Sequence, residues 1–284
     1  MLKKFREYTY QHAILSSIFI AILFVLLLNG TVVAFRFLPN SAITQYVQEI
    51  VIMLYSVGIV FLFGFKNTFR FKGFLKGLLY SSVVIVFMLF ILITFLDNKS
   101  EDPNTVWAST GMIILGIVQV IGIGIREECF FRGSIQNILA KKYACSVKGV
   151  WIAAIIGSLI FALIHSLNVF AGYNPLVVTI QILSAVGSGL FFAAIYLRSG
   201  NLWVSALVHA IVDLTALAGS TFLTQSNAEV VNKMSWQSLL STLIYILPAV
   251  FLLRPSKCKE IVARFDAEYG EKSLEQTDTD FSNN

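Results

Sequence analysis

The sequence predicts an all-α protein, a polytopic membrane helical bundle of about eight transmembrane helices with both termini cytoplasmic. Three observations carry that reading. Of 284 residues, 57% are hydrophobic, above the roughly 45–50% of globular chains. Only 13% are charged, about half the usual share. The apolar residues also gather into runs of about 20, the length a helix needs to cross a bilayer. A soluble domain so composed lacks the polar surface to cover its core. Water-soluble enzymes, nucleic-acid binders and disordered chains are therefore excluded.

The apolar runs lie near 13–35, 45–64, 73–96, 107–139, 149–171, 175–197, 201–220 and 236–253. The first follows a basic start, and its length together with the later runs favours a signal anchor over a cleaved leader. The fourth is too long for one perpendicular crossing, so it tilts or projects beyond the bilayer. Residues 1–255 form the membrane domain. Residues 256–284 hold seven acids and four bases and read as a short, solvated, acidic cytoplasmic tail. Three cysteines, Cys129, Cys145 and Cys258, have spacings that suit neither a disulfide framework nor a zinc ribbon.

Orientation follows from the basic residues between the runs. A cytoplasmic N-terminus puts 14 of them inside and three (Arg36, Lys99, Lys233) outside. The opposite orientation inverts the ratio. The chain is thus expected in the cell membrane as a multi-pass protein, with the lipid bilayer as its first partner and no nucleic acid.

Ionisable side chains inside a bilayer are costly, about 2.5–3.5 kcal/mol each at the centre, and usually mark function. Here they concentrate within residues 107–220. The fourth run carries Arg126-Glu127-Glu128-Cys129-Phe130-Phe131-Arg132-Gly133, the fifth carries Phe161 and His165, and the seventh carries His209 and Asp213. At 1.5 Å per residue, Glu127 lies about 21 Å from Lys141, His165 about 25 Å from Lys148, and His209 about 16 Å from Arg198. All three motifs fall in one layer within the membrane, as a shared buried site requires.

Spacing separates their roles. Glu128 and Arg132 are four apart and share a helical face, so they can form an intrahelical ion pair. Glu127 points roughly 100° away from Glu128 and is free to face the other motifs. His209 and Asp213 are also four apart. Taken singly, each feature is ordinary: a structural ion pair, an interhelical histidine bond, helix glue. Taken together at matched depth, they describe a site.

These residues resemble the signature of the CPBP family, the CAAX-processing and bacteriocin-processing (Abi) intramembrane proteases. The family pattern is Glu-Glu-x-x-x-Arg, then Phe-x-x-x-His, then His-x-x-x-Asn or Asp. The resemblance implies a helical bundle whose site opens toward the cytoplasmic side. It implies Glu127 as the general base on a water, His165 holding that water, and His209 and Asp213 stabilising the oxyanion. Glu128 and Arg132 would be supporting structure, with Phe161 part of the same framework.

Peptide hydrolysis needs an activated water and a stabilised oxyanion. An ionised aspartate accepts hydrogen bonds but donates none. Asp213 is therefore expected to accept from His209, orient its ring and favour an imidazolium that donates to the oxyanion. A metal-free mechanism is favoured and no cofactor is expected. Zinc stays open as the alternative, since Glu127, His165 and His209 form a two-histidine, one-carboxylate set. The function expected is an endopeptidase acting on a membrane-associated peptide or protein that enters from the membrane or the cytoplasmic side. Peptide maturation and bacteriocin self-immunity are the processes the resemblance suggests. A non-catalytic membrane scaffold or immunity protein, and a proton-coupled transporter, are the competing readings; intramembrane Glu, Asp and His also build proton relays.

Overall fold

A computed structural model describes residues 1–39 and 41–269. In chain order the α-helices are α1 (Leu2–Gln11), α2 (Ala13–Phe35), α3 (Ala42–Leu62), α4 (Phe74–Glu101), α5 (Thr110–Glu128), α6 (Asn137–Tyr143), α7 (Val147–Ile164), α8 (Pro175–Ser199) and α9 (Leu202–Ala216). Short helices α10 (Ala218–Phe222), α11 (Asn227–Val231) and α12 (Ser238–Ser241) follow, then α13 (Leu243–Leu252) and α14 (Pro255–Tyr269). A π-helical stretch, Cys129–Gln136, joins α5 to α6. Among the described residues there is no strand, and a single β-bridge pairs Trp107 with Leu223. The all-α bundle is as the sequence predicts.

The long apolar helices are fewer than the eight apolar runs. Among the described residues, five helices are by length and composition long and apolar enough to cross a membrane, or six if the bent pair Ser238–Leu252 and Pro255–Ala267 is one span. The runs that fall short have physical reasons. The seventh forms only a 15-residue helix, α9, packed against α4, α5 and α8. The fourth is broken by the π stretch where its charged motif begins. The eighth bends by 67° just before Pro255, where proline ends the preceding helix.

Outer helices turn large apolar side chains outward, as a hydrocarbon solvent allows and water does not. Leu15, Phe19 and Leu26 on α2 and Leu75, Leu79 and Phe90 on α4 are all exposed. The packed centre is built from the π stretch, α6, α7 and α8, with Phe130, Ile135, Ile138, Leu139 and Phe191 fully buried. Helix α14 occupies the start of the expected tail and buries Cys258, Ile261 and Phe265. Residues 270–284 of that tail lie outside the described residues. All three cysteines are free.

One end of the bundle is locked by a web of polar contacts. Arg6 of α1 donates to the carbonyls of Phe61 and Leu62 at the end of α3. Tyr10 donates to the Phe63 carbonyl at 2.6 Å, and burial pushes its phenol up to about 12. Asn201 caps α9 at its Val204 amide and donates to the Arg70 carbonyl at 2.8 Å. Trp203 donates to the Phe69 carbonyl. Gly73 sits here at φ +85°, where any Cβ would lie 2.1 Å from the Ser199 carbonyl oxygen. Only glycine fits that backbone and that approach.

Candidate active site

Glu128 is the polar centre of the bundle. It is 0% exposed, and a carboxylate so placed must be fully bonded to be tolerated. Arg132, one turn on, donates to Glu128 Oε1 at 2.8 Å and to the Gly189 carbonyl of α8 at 3.0 Å. Ser205 of α9 donates to Glu128 Oε2 at 2.5 Å. His209 Nδ1 lies 2.9 Å from Glu128 Oε1. Gly189 lets α8 approach α7 closely, since a Cβ there would meet the Phe161 ring at 3.0 Å.

Aromatic rings hold the same groups from the sides. The Arg132 guanidinium lies over Phe161 at 4.5 Å and Phe192 at 5.2 Å. Phe192 stacks on the His209 ring, centroids 4.6 Å apart and 20° between planes. The Phe161 ring stands edge-on to both His165 and His209, at 5.3 and 5.7 Å. Phe161 thus touches both imidazoles and the Arg132 guanidinium. His165 follows directly after α7, and its Nδ1 lies 3.2 Å from the Phe161 carbonyl oxygen.

The other two carboxylates are more open. Glu127 is 18% exposed at its side chain and Asp213 23%. Both face His209 Nε2, Asp213 Oδ2 at 3.5 Å and Glu127 Oε2 at 3.8 Å. The hydrogen bond that fixes the imidazole therefore comes from Glu128, while Asp213 stands at the opposite nitrogen. Glu127, His165, His209 and Asp213 all line one cavity of about 700 Å³. The three motifs meet, and Glu127 and Glu128 diverge as their spacing implies.

Several participants were not anticipated. Ser205 lies one turn before His209 on the same face, a signal the spacing held. Phe192 and the Gly189 carbonyl left none, because α8 carries no ionisable motif at that level. A second intramembrane ion pair joins α5 to α3: Arg126 Nη1 lies 2.5 Å from Glu49 Oε2. Lone charges in two apolar runs were the available sign of it. Next to them Gln119 donates to Gln45 at 2.9 Å.

The zinc alternative has a geometric test. Although Glu127, His165 and His209 share a cavity, no group of three or more His, Cys, Asp or Glu among the described residues is arranged to hold a metal ion. As placed, Glu127, His165 and His209 do not form a three-ligand zinc site.

The fold and the cavity define a multi-pass helical membrane protein with a buried acid–imidazole site. Residues 108–215, which contain all seven motif residues, match the family model described as Type II CAAX prenyl endopeptidase Rce1-like, consistent with the CPBP resemblance. That match supports an endopeptidase working within the membrane. No curated protein and no solved structure matches the chain.

Proposed function

We propose that the chain hydrolyses a peptide bond of a membrane-associated substrate, using a water activated by Glu127 and needing no metal. One observation supports this above the others. Both arginines of the motif are taken, Arg126 by Glu49 and Arg132 by Glu128, while the Glu127 carboxylate is left facing the cavity. At 3.8 Å from His209 Nε2 it is too far for a hydrogen bond, so each group keeps its capacity for a reactant.

In the proposed reaction Glu127 takes a proton from water as the oxygen bonds to the scissile carbonyl carbon. His165 holds the water. The new oxyanion is met by N–H of His209 Nε2, whose ring Glu128 and Phe192 keep in place and whose charge Asp213 balances. Glu127 then passes its proton to the amide nitrogen, the C–N bond breaks, and acid and amine products leave. A preset donor at a developing oxyanion is worth about 10²–10³-fold in rate, and general-base catalysis a further 10²–10⁴-fold or so.

The test is hydrolysis by purified protein in proteoliposomes. Its substrates are a pool of lipid-anchored and transmembrane peptides, prenylated and unprenylated, with products read by mass spectrometry. Wild type is expected to cut, and Glu127→Gln and His165→Ala to lose cutting while eluting as wild type from a sizing column. Unchanged hydrolysis in both variants, or none by wild type, overturns the proposal. The scaffold, immunity and transporter readings predict the second result.

A further inference from the structure

We infer that Tyr245 is a substrate-binding residue, whose hydroxyl donates a hydrogen bond to a backbone carbonyl of the bound peptide two residues along from the scissile bond. The inference rests on the protease reading of the site and adds a contact from outside the seven motif residues.

Tyr245 lies in the first turn of α13 and Met88 in α4, both outside the matched residues 108–215. Both line the cavity of about 700 Å³ that holds Glu127, His165, His209 and Asp213. Tyr245 is only 8% exposed, and a tyrosine so buried ordinarily gives its O–H to a good acceptor. Tyr10 donates in this way to the Phe63 carbonyl at 2.6 Å, and Tyr196 to Asn137 at 2.9 Å. Among the described residues the Tyr245 hydroxyl meets only the Met88 thioether, at 3.5 Å. A thioether is a weak acceptor. The phenol has therefore given up water without a full replacement bond, at the wall of the reaction cavity. A donor held that way gains when a carbonyl arrives with the substrate.

The donor is also held in position. Phe191 of α8 packs on the Tyr245 ring, centroids 6.1 Å apart. Three residues earlier, Thr242 donates to Ser184 of α8 at 3.4 Å, and α13 packs along α8. A donor fixed before binding loses little freedom when the peptide docks.

Its level in the bundle selects the carbonyl. Thr215 of α9 donates to the Met88 carbonyl at 3.3 Å, so Met88 stands against α9 just beyond Asp213. The bond to Met88 then places the phenol near the level of Asp213 and Thr215, about 6–9 Å along α9 from His209. An extended peptide rises about 3.4 Å per residue, and groups two residues apart point the same way. With the scissile carbonyl at His209, the carbonyl two residues along lies about 7 Å away and faces the same wall. That is the reach of Tyr245.

Tyr245→Phe deletes one oxygen and keeps the ring, so it tests the bond without opening the packing. The probe is the peptide of the proteoliposome pool that wild type cuts fastest. It is also made with one amide at a time replaced by an alkene isostere, which removes the carbonyl acceptor. With the unmodified peptide, Tyr245→Phe is expected to raise KM about 3–10-fold, the worth of one neutral hydrogen bond. The kcat and the thermal midpoint should not change, since the bond serves binding alike in ground and transition states. Wild type should show the same rise with the isostere two residues from the scissile bond, and Tyr245→Phe no further rise with it. A wild-type KM in Tyr245→Phe, or an added loss with every isostere, overturns the inference and leaves the protease reading standing. A fall in midpoint and kcat together would make the Met88 bond structural and overturn it as well. No cutting by wild type overturns the protease reading, and the inference with it.

Discussion

Glu128 Oε1 lies 2.9 Å from His209 Nδ1, and the same oxygen accepts from Arg132 at 2.8 Å. One carboxylate oxygen thus couples the imidazole of α9 to the guanidinium of the π stretch, and Arg132 carries the link to α8 through the Gly189 carbonyl. Glu128→Ala should leave a fully buried arginine uncompensated, which costs about 3–5 kcal/mol. A fall in thermal midpoint in detergent and loss of hydrolysis are both expected. The double variant Glu128→Ala, Arg132→Met should recover most of the midpoint and none of the activity, because His209 still lacks its orienting partner. Recovery of activity in the double variant would show that Glu128 serves Arg132 alone.

Much of this was legible in the chain. The depth matching of Glu127, His165 and His209 depends only on a constant helical rise and on basic residues marking one boundary, so it survives uncertainty in helix ends. The divergence of Glu127 from Glu128 follows from helical period alone. The contact of Glu128 with His209 was not legible, because it depends on how α5 and α9 cross. Nor was the π stretch Cys129–Gln136, since no residue there marks a change of winding. The eight apolar runs do not map one to one onto long apolar helices, because packed helices such as α9, against α4, α5 and α8, are short.

Glu127→Gln separates chemistry from folding. Its carboxylate pairs with neither arginine of its own motif, so the amide should cost little stability. The hydrolysis rate should nonetheless fall by about 10³-fold. Equal thermal midpoints with collapsed kcat are expected, measured on one preparation. A matching fall in midpoint would make Glu127 structural.

The Arg126–Glu49 pair ties α3 to the helix that carries Glu127. Glu49→Ala should strand Arg126 in the bundle, destabilising by about 3 kcal/mol. Gly122 gives an independent probe, since a Cβ there would lie 3.0 Å from Glu49 Oε2. Gly122→Val is expected to push Glu49 off Arg126 and lower kcat, with both glutamates of the motif untouched. Wild-type kcat in a folded Gly122→Val protein would separate the α3 contact from catalysis.

His209 has one nitrogen on Glu128 and the other toward Glu127 and Asp213, an arrangement a zinc-bound imidazole would share, so chelation decides between the metal-free and zinc readings. Exhaustive chelation in metal-free detergent buffer is expected to leave the rate unchanged. Rate lost on chelation and restored by zinc alone would require Glu127, His165 and His209 to regroup around the ion.

In the proposed reaction Asp213 sets how the oxyanion is held. Its Oδ2 lies 3.5 Å from His209 Nε2, beyond a good hydrogen bond but close enough to balance an imidazolium charge. Asn at this position keeps the shape, removes the charge and adds a donor. If the imidazolium is the oxyanion donor, Asp213→Asn should lower kcat more than it changes KM and alter the pH profile of kcat. An amide that itself donates to the oxyanion would instead preserve kcat. Full activity with an unchanged pH profile in Asp213→Asn would assign the oxyanion to position 213 directly and leave His209 as a positioning residue.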